Sequence, residues 1–140
     1  MNKYNAKKTI RKYNGAILAF PSKAEAKYFD RLVVLHRAGK IKGFSTQPQF
    51  VLTGAFVIDT DKTKRGMSKV PGLLYTADFR IFENDGRETV VEVKGRHTVD
   101  YDMRKKLFLA QAWAEFGVSK FIEVTAGQEI CYNCESVRET

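Results

Sequence analysis

Apolar side chains follow two different periods along the chain, and together these periods predict two helices among several short strands. Residues 23–38 show the helical period between Ser22, a suitable N-cap, and Gly39, a suitable terminator. Residues 100–116 show the same period up to Gly117. The positions that carry the helical pattern are, in chain order, Phe29, Leu32, Val33, His36, Met103, Leu107, Ala110 and Ala114.

Shorter apolar runs predict strands. Asn14-Gly15 between two such runs predicts an N-terminal β-hairpin, and Asp85-Gly86 predicts a second tight turn. Polar, basic composition predicts a flexible loop at residues 59–71, and weak patterning predicts a C-terminal tail at residues 126–140. The predicted strands beyond the hairpin are residues 47–58, 72–82, 89–95 and a last one that begins at residue 120.

This order of elements predicts one domain, residues 1–140, of the α/β class with a mixed (α+β) sheet. Residues 1–21 form its basic N-terminal segment and hairpin. A composition of 44% hydrophobic residues suits a single core, and no apolar run approaches the roughly 20 residues of a membrane span. Two cysteines, Cys131 and Cys134, are too few for a disulfide framework. We therefore expect a cytoplasmic protein without a membrane partner.

The charge of the chain indicates an anionic partner. Its formal net charge is +8, and no acidic residue precedes Glu25, whereas Lys7 and Lys8 lie in a run of basic side chains. Such a balance favours DNA or RNA phosphates as the ligand, with a merely solvated N-terminus as the alternative.

The predicted strand at residues 89–95 carries two charges that its apolar pattern does not explain. Because side chains alternate along a strand, Glu92 and Lys94 share one face, opposite Val91 and Val93. On the preceding strand, alternation separates Asp78 from a face formed by Tyr75, Ala77, Phe79 and Ile81. A tight turn joins the two strands, so Asp78 and Glu92 are expected to lie close together.

Two adjacent carboxylates repel unless a proton or a cation lies between them. A hard dication such as Mg²⁺, with Mn²⁺ as a substitute, takes oxygen ligands and is held by one or two carboxylates plus phosphate oxygens. Lys94 could then position a water molecule or neutralise charge on a phosphate. The alternative is an ordinary solvated strand face.

The same residues resemble the PD-(D/E)XK nuclease superfamily, whose signature is an acid on one strand and Glu-x-Lys on the next. Asp78 in "TADF" and Glu92-Val93-Lys94 in "VEVKG" match it, with Ala77 in place of the proline. A closer resemblance is to a small phage-associated group of nuclease-like proteins. It covers most of the chain through the ordered segments "KYNAKKT", "FPSKAEAKYFDRL", "AGKIKGFSTQPQFVL", "YTADF", "VEVKG" and "MRKKLF".

The resemblance implies a core of helix, three strands, helix and strand, and metal-dependent hydrolysis of DNA phosphodiesters. Asp78, Glu92 and Glu25 would be metal ligands, and Lys94 would be catalytic. Glu25 also completes a capping box with Ser22, and this alternative stays open. Residues expected to contact DNA are Lys7, Lys8, Gln47, Arg96, Arg104, Lys105 and Lys106.

Three functions follow as hypotheses. The first is a magnesium-dependent endodeoxyribonuclease that selects branched, flap or junction DNA in phage recombination, repair or processing, in the host cytoplasm. Two nicks on one substrate would suit a homodimer with twofold symmetry. The second is a non-catalytic DNA-binding module that retains the nuclease fold. The third is a structural or interaction protein that is basic for solubility.

Overall fold

The structure is a computed structural model that describes residues 8–140 of the chain, so Lys7 lies outside the described residues. Two helices and eleven strands occur in this range. The helices are α1 (Lys23–Arg37) and α2 (Val99–Gln111). The strands are β1 (Thr9–Tyr13), β2 (Ala16–Phe20), β3 (Gly43–Thr46), β4 (Gln49–Thr53), β5 (Phe56–Asp59), β6 (Met67–Val70), β7 (Leu73–Thr76), β8 (Phe79–Phe82), β9 (Glu88–Val93), β10 (Lys120–Thr125) and β11 (Gln128–Asn133).

A five-stranded mixed sheet organises the described part of the chain. Its strand order is β11-β10-β9-β8-β3, in which β9 and β10 are parallel and the other neighbours are antiparallel. Three two-stranded ribbons accompany it, namely β1–β2, β4–β7 and β5–β6. The predicted class of mixed strands and helices and the predicted N-terminal hairpin are therefore confirmed.

Helix α1 forms because its apolar positions recur at helical spacing behind a good N-cap. The Ser22 hydroxyl accepts a hydrogen bond from the Glu25 N–H at 3.1 Å, which satisfies one free donor of the first turn. The buried face of α1 packs on one side of the sheet. This cluster includes Ala26, Phe29, Leu32, Val33, Phe79, Ile81 and Val91.

Helix α2 covers the opposite side of the sheet. The Thr98 hydroxyl caps its first turn by accepting from the Tyr101 N–H at 3.1 Å. Because neighbouring residues of a strand face opposite ways, Val90 belongs to the α2 side while Val91 belongs to the α1 side. The α2 cluster includes Phe50, Tyr75, Ala77, Val90, Tyr101, Phe108 and Phe121.

The strand predicted at residues 72–82 is interrupted in the structure. Strand β7 pairs with β4, whereas β8 pairs with β3 and β9, so the two halves belong to different sheets. Tyr75 and Ala77 consequently face α2, and Phe79 and Ile81 face α1. The prediction that these four side chains share one face was wrong, because the break at Ala77-Asp78 interrupts the alternation.

Two segments predicted without regular structure contain strands. Strand β6 pairs with β5 inside the predicted loop at residues 59–71. Strand β11 pairs with β10 inside the predicted tail at residues 126–140, and a single 3₁₀ turn, Cys134–Ser136, follows it. His36 is exposed at the end of α1 although it lies on the helical pattern. In the described part of the chain, no helix has both the length and the apolar character needed to cross a bilayer.

Replacing Leu32 by alanine tests whether the α1 face holds the fold. Leu32 is fully buried in the α1 cluster, so Leu32→Ala is expected to lower the free energy of unfolding by about 2–5 kcal/mol. Urea unfolding followed by circular dichroism measures this change. Val34→Ala is the matched control, because Val34 is 65% exposed on the same helix. Equal losses from the two variants would contradict the packing of α1 described here.

Candidate active site

Three carboxylate residues lie side by side on three adjacent strands. Phe79 and Val91 are the last register pair of strands β8 and β9 at this end of the sheet. The next residues along the two strands are Asp78 and Glu92, which therefore lie beside each other. On the other side of β9, Glu92 is the register partner of Glu123 on β10. The predicted proximity of Asp78 and Glu92 is thus present in the structure, and Glu123 extends the row.

Backbone groups fix the position of Asp78. Its Oδ2 atom accepts a hydrogen bond from the Val93 N–H at 2.7 Å, and its own N–H donates to the Val91 carbonyl at 3.1 Å. Its carbonyl accepts from the Gln47 N–H at 2.8 Å. Gln47, predicted as a DNA contact, therefore supports Asp78 through its backbone, while its side chain is exposed.

Glu92 is the more deeply buried residue of the Asp78–Glu92 pair, with only 6% of its surface exposed. The Tyr75 hydroxyl donates a hydrogen bond to its Oε1 atom. Burial raises the pKa of Glu92 well above its usual range, and the charge of Asp78 raises it further. Burial also raises the pKa of Asp78. The two neighbouring carboxyl groups both have raised pKa values, which favours retention of a proton by the pair when no cation is bound.

The Lys94 ammonium supplies positive charge at the same point. It lowers the pKa of Asp78, of Glu92 and of Glu25, which places it within electrostatic reach of all three. Its Nζ atom lies over the ring of Tyr101, 4.3 Å from the ring centroid. The predicted sharing of one strand face by Glu92 and Lys94 agrees with this arrangement.

Glu25 approaches the pair from α1, on the other side of the sheet. Burial raises its pKa from an ordinary 4.5 to about 7, with a further contribution from the charge of Asp78. Its N–H is capped by Ser22, but no bond among residues 8–140 joins its carboxylate to the Ser22 N–H. The capping box is therefore only half formed, and the Glu25 carboxylate is left beside the Asp78–Glu92 pair.

Glu123 was not among the predicted site residues, although its place in the apolar run "KFIEVT" was a signal of the same kind as Glu92. It is 2% exposed. The Tyr101 hydroxyl donates to one of its oxygens, and the Lys105 Nζ atom lies 3.1 Å from its carboxylate. The Nε2 atom of the His97 ring lies 3.8 Å away. Unlike its two neighbours, Glu123 is thus neutralised by a cation of the chain itself.

A cavity of about 310 Å³ opens beside Glu92 and Lys94, between β7 and the start of α2. Arg104 lines it, and its guanidinium donates to the Leu74 carbonyl and, at 3.0 Å, to Asp100. The cavity therefore combines two fixed cations with the buried Glu92 carboxylate. It is lined by Leu74, Tyr75, Thr76, Glu92, Lys94, Thr98, Asp100, Tyr101 and Arg104.

The other predicted DNA contacts lie in different surroundings. Lys105 points inward, with its side chain 15% exposed and its Nζ atom 2.8 Å from the Tyr132 hydroxyl. Lys106 is exposed on the next position of α2, and Arg96 is exposed in the loop that follows β9. Lys8 is exposed at the start of the described chain. Of the predicted DNA contacts that the structure describes, only Arg104 lines the cavity.

Oxygen donors of the pair could hold a hard cation. Asp78 and Glu92 provide carboxylates with raised pKa values, which is the donor chemistry that Mg²⁺ or Mn²⁺ takes. Among residues 8–140, no group of three His, Cys, Asp or Glu side chains is arranged to hold a metal ion. A cation at this position would take oxygens from Asp78 and Glu92, with water or substrate oxygens in the remaining positions.

Comparison with known families identifies the chain. The model of the family described as "Protein of unknown function (DUF1064)" matches residues 1–126. The chain belongs to the DUF1064 family. This family description names no activity, and no curated protein shows significant similarity to the chain.

One solved structure similar to this DUF1064 member is described as "Crystal structure of SSO0001". The identity is 17% and the TM-score is 0.37, over 79% of this chain and 49% of that chain. The chain thus spans about half the length of that structure. A likeness at this level carries no argument about the DUF1064 site.

The raised pKa of Glu25 predicts a pH dependence of stability in the metal-free protein. The folded chain holds the Glu25 proton up to about pH 7, whereas the unfolded chain releases it near pH 4.5. The stabilising contribution is thus complete below about pH 4.5 and is lost as the pH rises through about 7. The unfolding free energy of the wild type, minus that of Glu25→Gln, is expected to fall from pH 5 to pH 8.

Urea unfolding in EDTA at each pH measures this difference. Glu115→Gln is the matched control, because it makes the same chemical change at an exposed position beyond the C-terminal end of α2. A difference for Glu25→Gln that stays flat or increases with pH would exclude a buried, proton-binding Glu25.

Proposed function

We propose that the protein is a divalent-metal-dependent endodeoxyribonuclease with a PD-(D/E)XK core. One observation carries the proposal: the half-buried Asp78 carboxylate and the buried Glu92 carboxylate lie next to each other, beside the Lys94 ammonium, at the end of a mixed sheet. Buried carboxylates without a matching cation raise the free energy of the fold, so such a pair is more often functional than structural.

The order of elements supports the same core. Helix α1, strands β3, β8 and β9, helix α2 and strand β10 occur in the order that the superfamily resemblance implies, with strands β4 to β7 inserted between β3 and β8. Asp78 immediately precedes β8, and the Glu-x-Lys motif spans the end of β9, with Lys94 just after the strand. These are the positions that the resemblance requires for Asp78, Glu92 and Lys94.

The donor set fits Mg²⁺ or Mn²⁺. Asp78 and Glu92 would each give one carboxylate, and replacement of their shared proton by a dication removes the repulsion between them. When bound, the cation would polarise the scissile phosphodiester and lower the pKa of a bound water molecule. Glu25, which lies within electrostatic reach of Asp78, would complete the acidic cluster by direct or water-mediated contact with the cation.

Two basic side chains, Lys94 and Arg104, would interact with the substrate phosphates. Hydrolysis requires attack of a water oxygen on phosphorus and departure of a sugar oxygen, and negative charge increases on the phosphate oxygens. The Lys94 ammonium is positioned to stabilise that charge or to orient the attacking water. Arg104 lines the adjoining cavity and is positioned to contact the phosphate backbone.

The substrate class follows from size and charge. A single domain of 140 residues with a net charge of +8 suits binding to DNA phosphates more than reading of a long base sequence. Branched, flap or junction DNA is therefore the proposed substrate, and recombination, repair or processing of phage DNA is the proposed setting. A homodimer with one site per protomer would cut both strands.

Removing either carboxylate charge is expected to abolish cleavage. Asp78→Asn and Glu92→Gln keep the side-chain shape but remove a metal ligand, so no metal-dependent product should form. The measurement is nicking of a four-way junction, a flap and a matched linear duplex in Mg²⁺, Mn²⁺ or EDTA. The exposed Glu115→Gln serves as the control and should cleave like the wild type.

DNA binding in EDTA, measured by fluorescence anisotropy, separates the alternatives. Retained binding with lost cleavage in Asp78→Asn supports the nuclease. A wild type that binds junctions but cuts no substrate would instead support the non-catalytic binding module. Absence of salt-dependent DNA binding would exclude both and favour the interaction protein.

Replacing Lys94 is expected to slow cleavage more than it weakens binding. Lys94→Met keeps the aliphatic stem but removes the charge beside the phosphate, so the single-turnover cleavage rate should fall by about 10²–10³-fold. Lys42→Met is the control, because Lys42 is exposed at the opposite end of the sheet, before β3. Cleavage by Lys94→Met at the wild-type rate would remove Lys94 from the mechanism.

A further inference from the structure

The Lys94 ammonium has no carboxylate within ion-pairing distance among the described residues, yet its side chain has a defined partner. Its Nζ atom lies 4.3 Å from the centroid of the Tyr101 ring, within the range of a cation–π contact. Tyr101 is 5% exposed, so the ring offers a fixed surface. The position of the ammonium therefore depends on the position of this ring.

Tyr101 is held by hydrogen bonds at its backbone and at its side-chain hydroxyl. The Tyr101 N–H donates to the Thr98 hydroxyl at 3.1 Å in the first turn of α2. At the other end, the Tyr101 hydroxyl donates to a carboxylate oxygen of Glu123. A tyrosine bonded in this way cannot rotate about its side-chain torsions without breaking a buried hydrogen bond, which costs about 1–3 kcal/mol.

Glu123 in turn is held in place by Lys105. The Lys105 Nζ atom lies 3.1 Å from the Glu123 carboxylate and 2.8 Å from the Tyr132 hydroxyl, and it lies over the Tyr132 ring at 4.5 Å from the centroid. An ion pair buried to this extent adds little to stability compared with apolar residues of similar volume. Its position beside Glu92 is consistent with a role in the site.

We propose that Tyr101 is a positioning residue for Lys94, and that Glu123 and Lys105 hold Tyr101 in place. The chain of contacts Lys105–Glu123–Tyr101–Lys94 sets the ammonium beside the Asp78–Glu92 pair. The proposal rests on the proposed nuclease function, in which Lys94 acts on the phosphate or on the attacking water. Tyr101 itself contacts Lys94 and Glu123 and is not assigned a contact with the substrate.

The row of carboxylates formed by Asp78, Glu92 and Glu123 then divides into two parts with different roles. Within residues 8–140, no basic side chain forms an ion pair with Asp78 or Glu92, which leaves both available to a metal ion. Glu123 has its oxygens occupied by the Tyr101 hydroxyl and by Lys105. It therefore acts on the reaction only through Tyr101, although it is the register neighbour of Glu92.

The first measurement needs neither metal nor substrate. A methylene group above an aromatic ring has its proton resonances shifted upfield, so the Lys94 ε-protons should be shifted upfield of those of exposed lysines such as Lys40. Lys94→Arg assigns the signal in ¹H–¹³C spectra of the protein in EDTA. Tyr101→Phe should keep most of the shift, because the ring remains, and Tyr101→Leu should remove it.

The second measurement is kinetic. A displacement of about 1 Å in a reacting group lowers rates by about 10²-fold. Tyr101→Leu is therefore expected to lower kcat by about 10–10²-fold with KM nearly unchanged. Tyr101→Phe loses only the anchor to Glu123 and should fall between Tyr101→Leu and the wild type. Tyr13→Leu is the control, since it removes a half-buried tyrosine from the α1 cluster and should leave kcat unaltered.

The outcomes separate this inference from the proposed function. A Lys94 signal at the position of exposed lysines in the wild type overturns the inference, whether or not the protein cleaves DNA. A shifted signal with wild-type kcat in Tyr101→Phe and Tyr101→Leu also overturns it. Absence of metal-dependent cleavage in the wild type, with the Lys94 signal shifted as expected, overturns the nuclease proposal and with it the catalytic purpose of the contact. If Tyr101→Leu does not fold, Tyr101→Phe and the wild-type spectrum still decide.

Discussion

The pairing of β9 with an antiparallel neighbour on one side and a parallel neighbour on the other is the constraint on which the site depends. Register fixes which residues lie at one level of a sheet, and here the level of Glu92 includes Asp78 and Glu123. A slip of one residue in either pairing would turn a carboxylate to the α1 side. The apolar alternation of Val90 and Val91, each buried on a different face, prevents that slip.

The three carboxylates differ because their surroundings differ. All three lose contact with water, which disfavours the charged form. Glu123 is compensated by Lys105 and the Tyr101 hydroxyl, whereas Asp78 and Glu92 have raised pKa values, which favour the protonated form. Because Lys105 pairs with Glu123, the Asp78–Glu92 pair is the part of the row that is open to an external ion. The register of the sheet alone would not distinguish this pair from Glu123.

Sequence periodicity predicted the helices and the paired acids because those features depend on neighbouring residues. The N-cap at Ser22, the helical spacing of Phe29 and Leu32, and the alternation around Glu92 are all local. Glu123 and Lys105 were not predicted as partners, since they are 18 residues apart and meet only after α2 folds onto the sheet. His36 lies on the helical pattern yet is exposed, because the helical period does not show where the neighbouring elements end.

The break between β7 and β8 could not be predicted from the local pattern of apolar residues either. It has a specific structural cause. Thr46 pairs with Phe79 and Gln49 pairs with Thr76, so β3–β4 and β7–β8 form one long antiparallel ribbon with a bend in the middle. At the bend, Gln47 has a φ of 52°, which is rare and unfavourable for a residue other than glycine.

Two hydrogen bonds hold the bend. The Gln47 N–H donates to the Asp78 carbonyl at 2.8 Å, and the Ala77 N–H donates to the Pro48 carbonyl at 3.0 Å. Strained backbone of this kind persists only where surrounding bonds enforce it, and it is concentrated at functional sites. Without the bend, Asp78 would continue the alternation of a straight strand. With the bend, β7 turns Tyr75 toward Glu92 while β8 keeps Phe79 against α1. The distortion that interrupts the alternation of the sequence therefore also brings Asp78 and Tyr75 to the site.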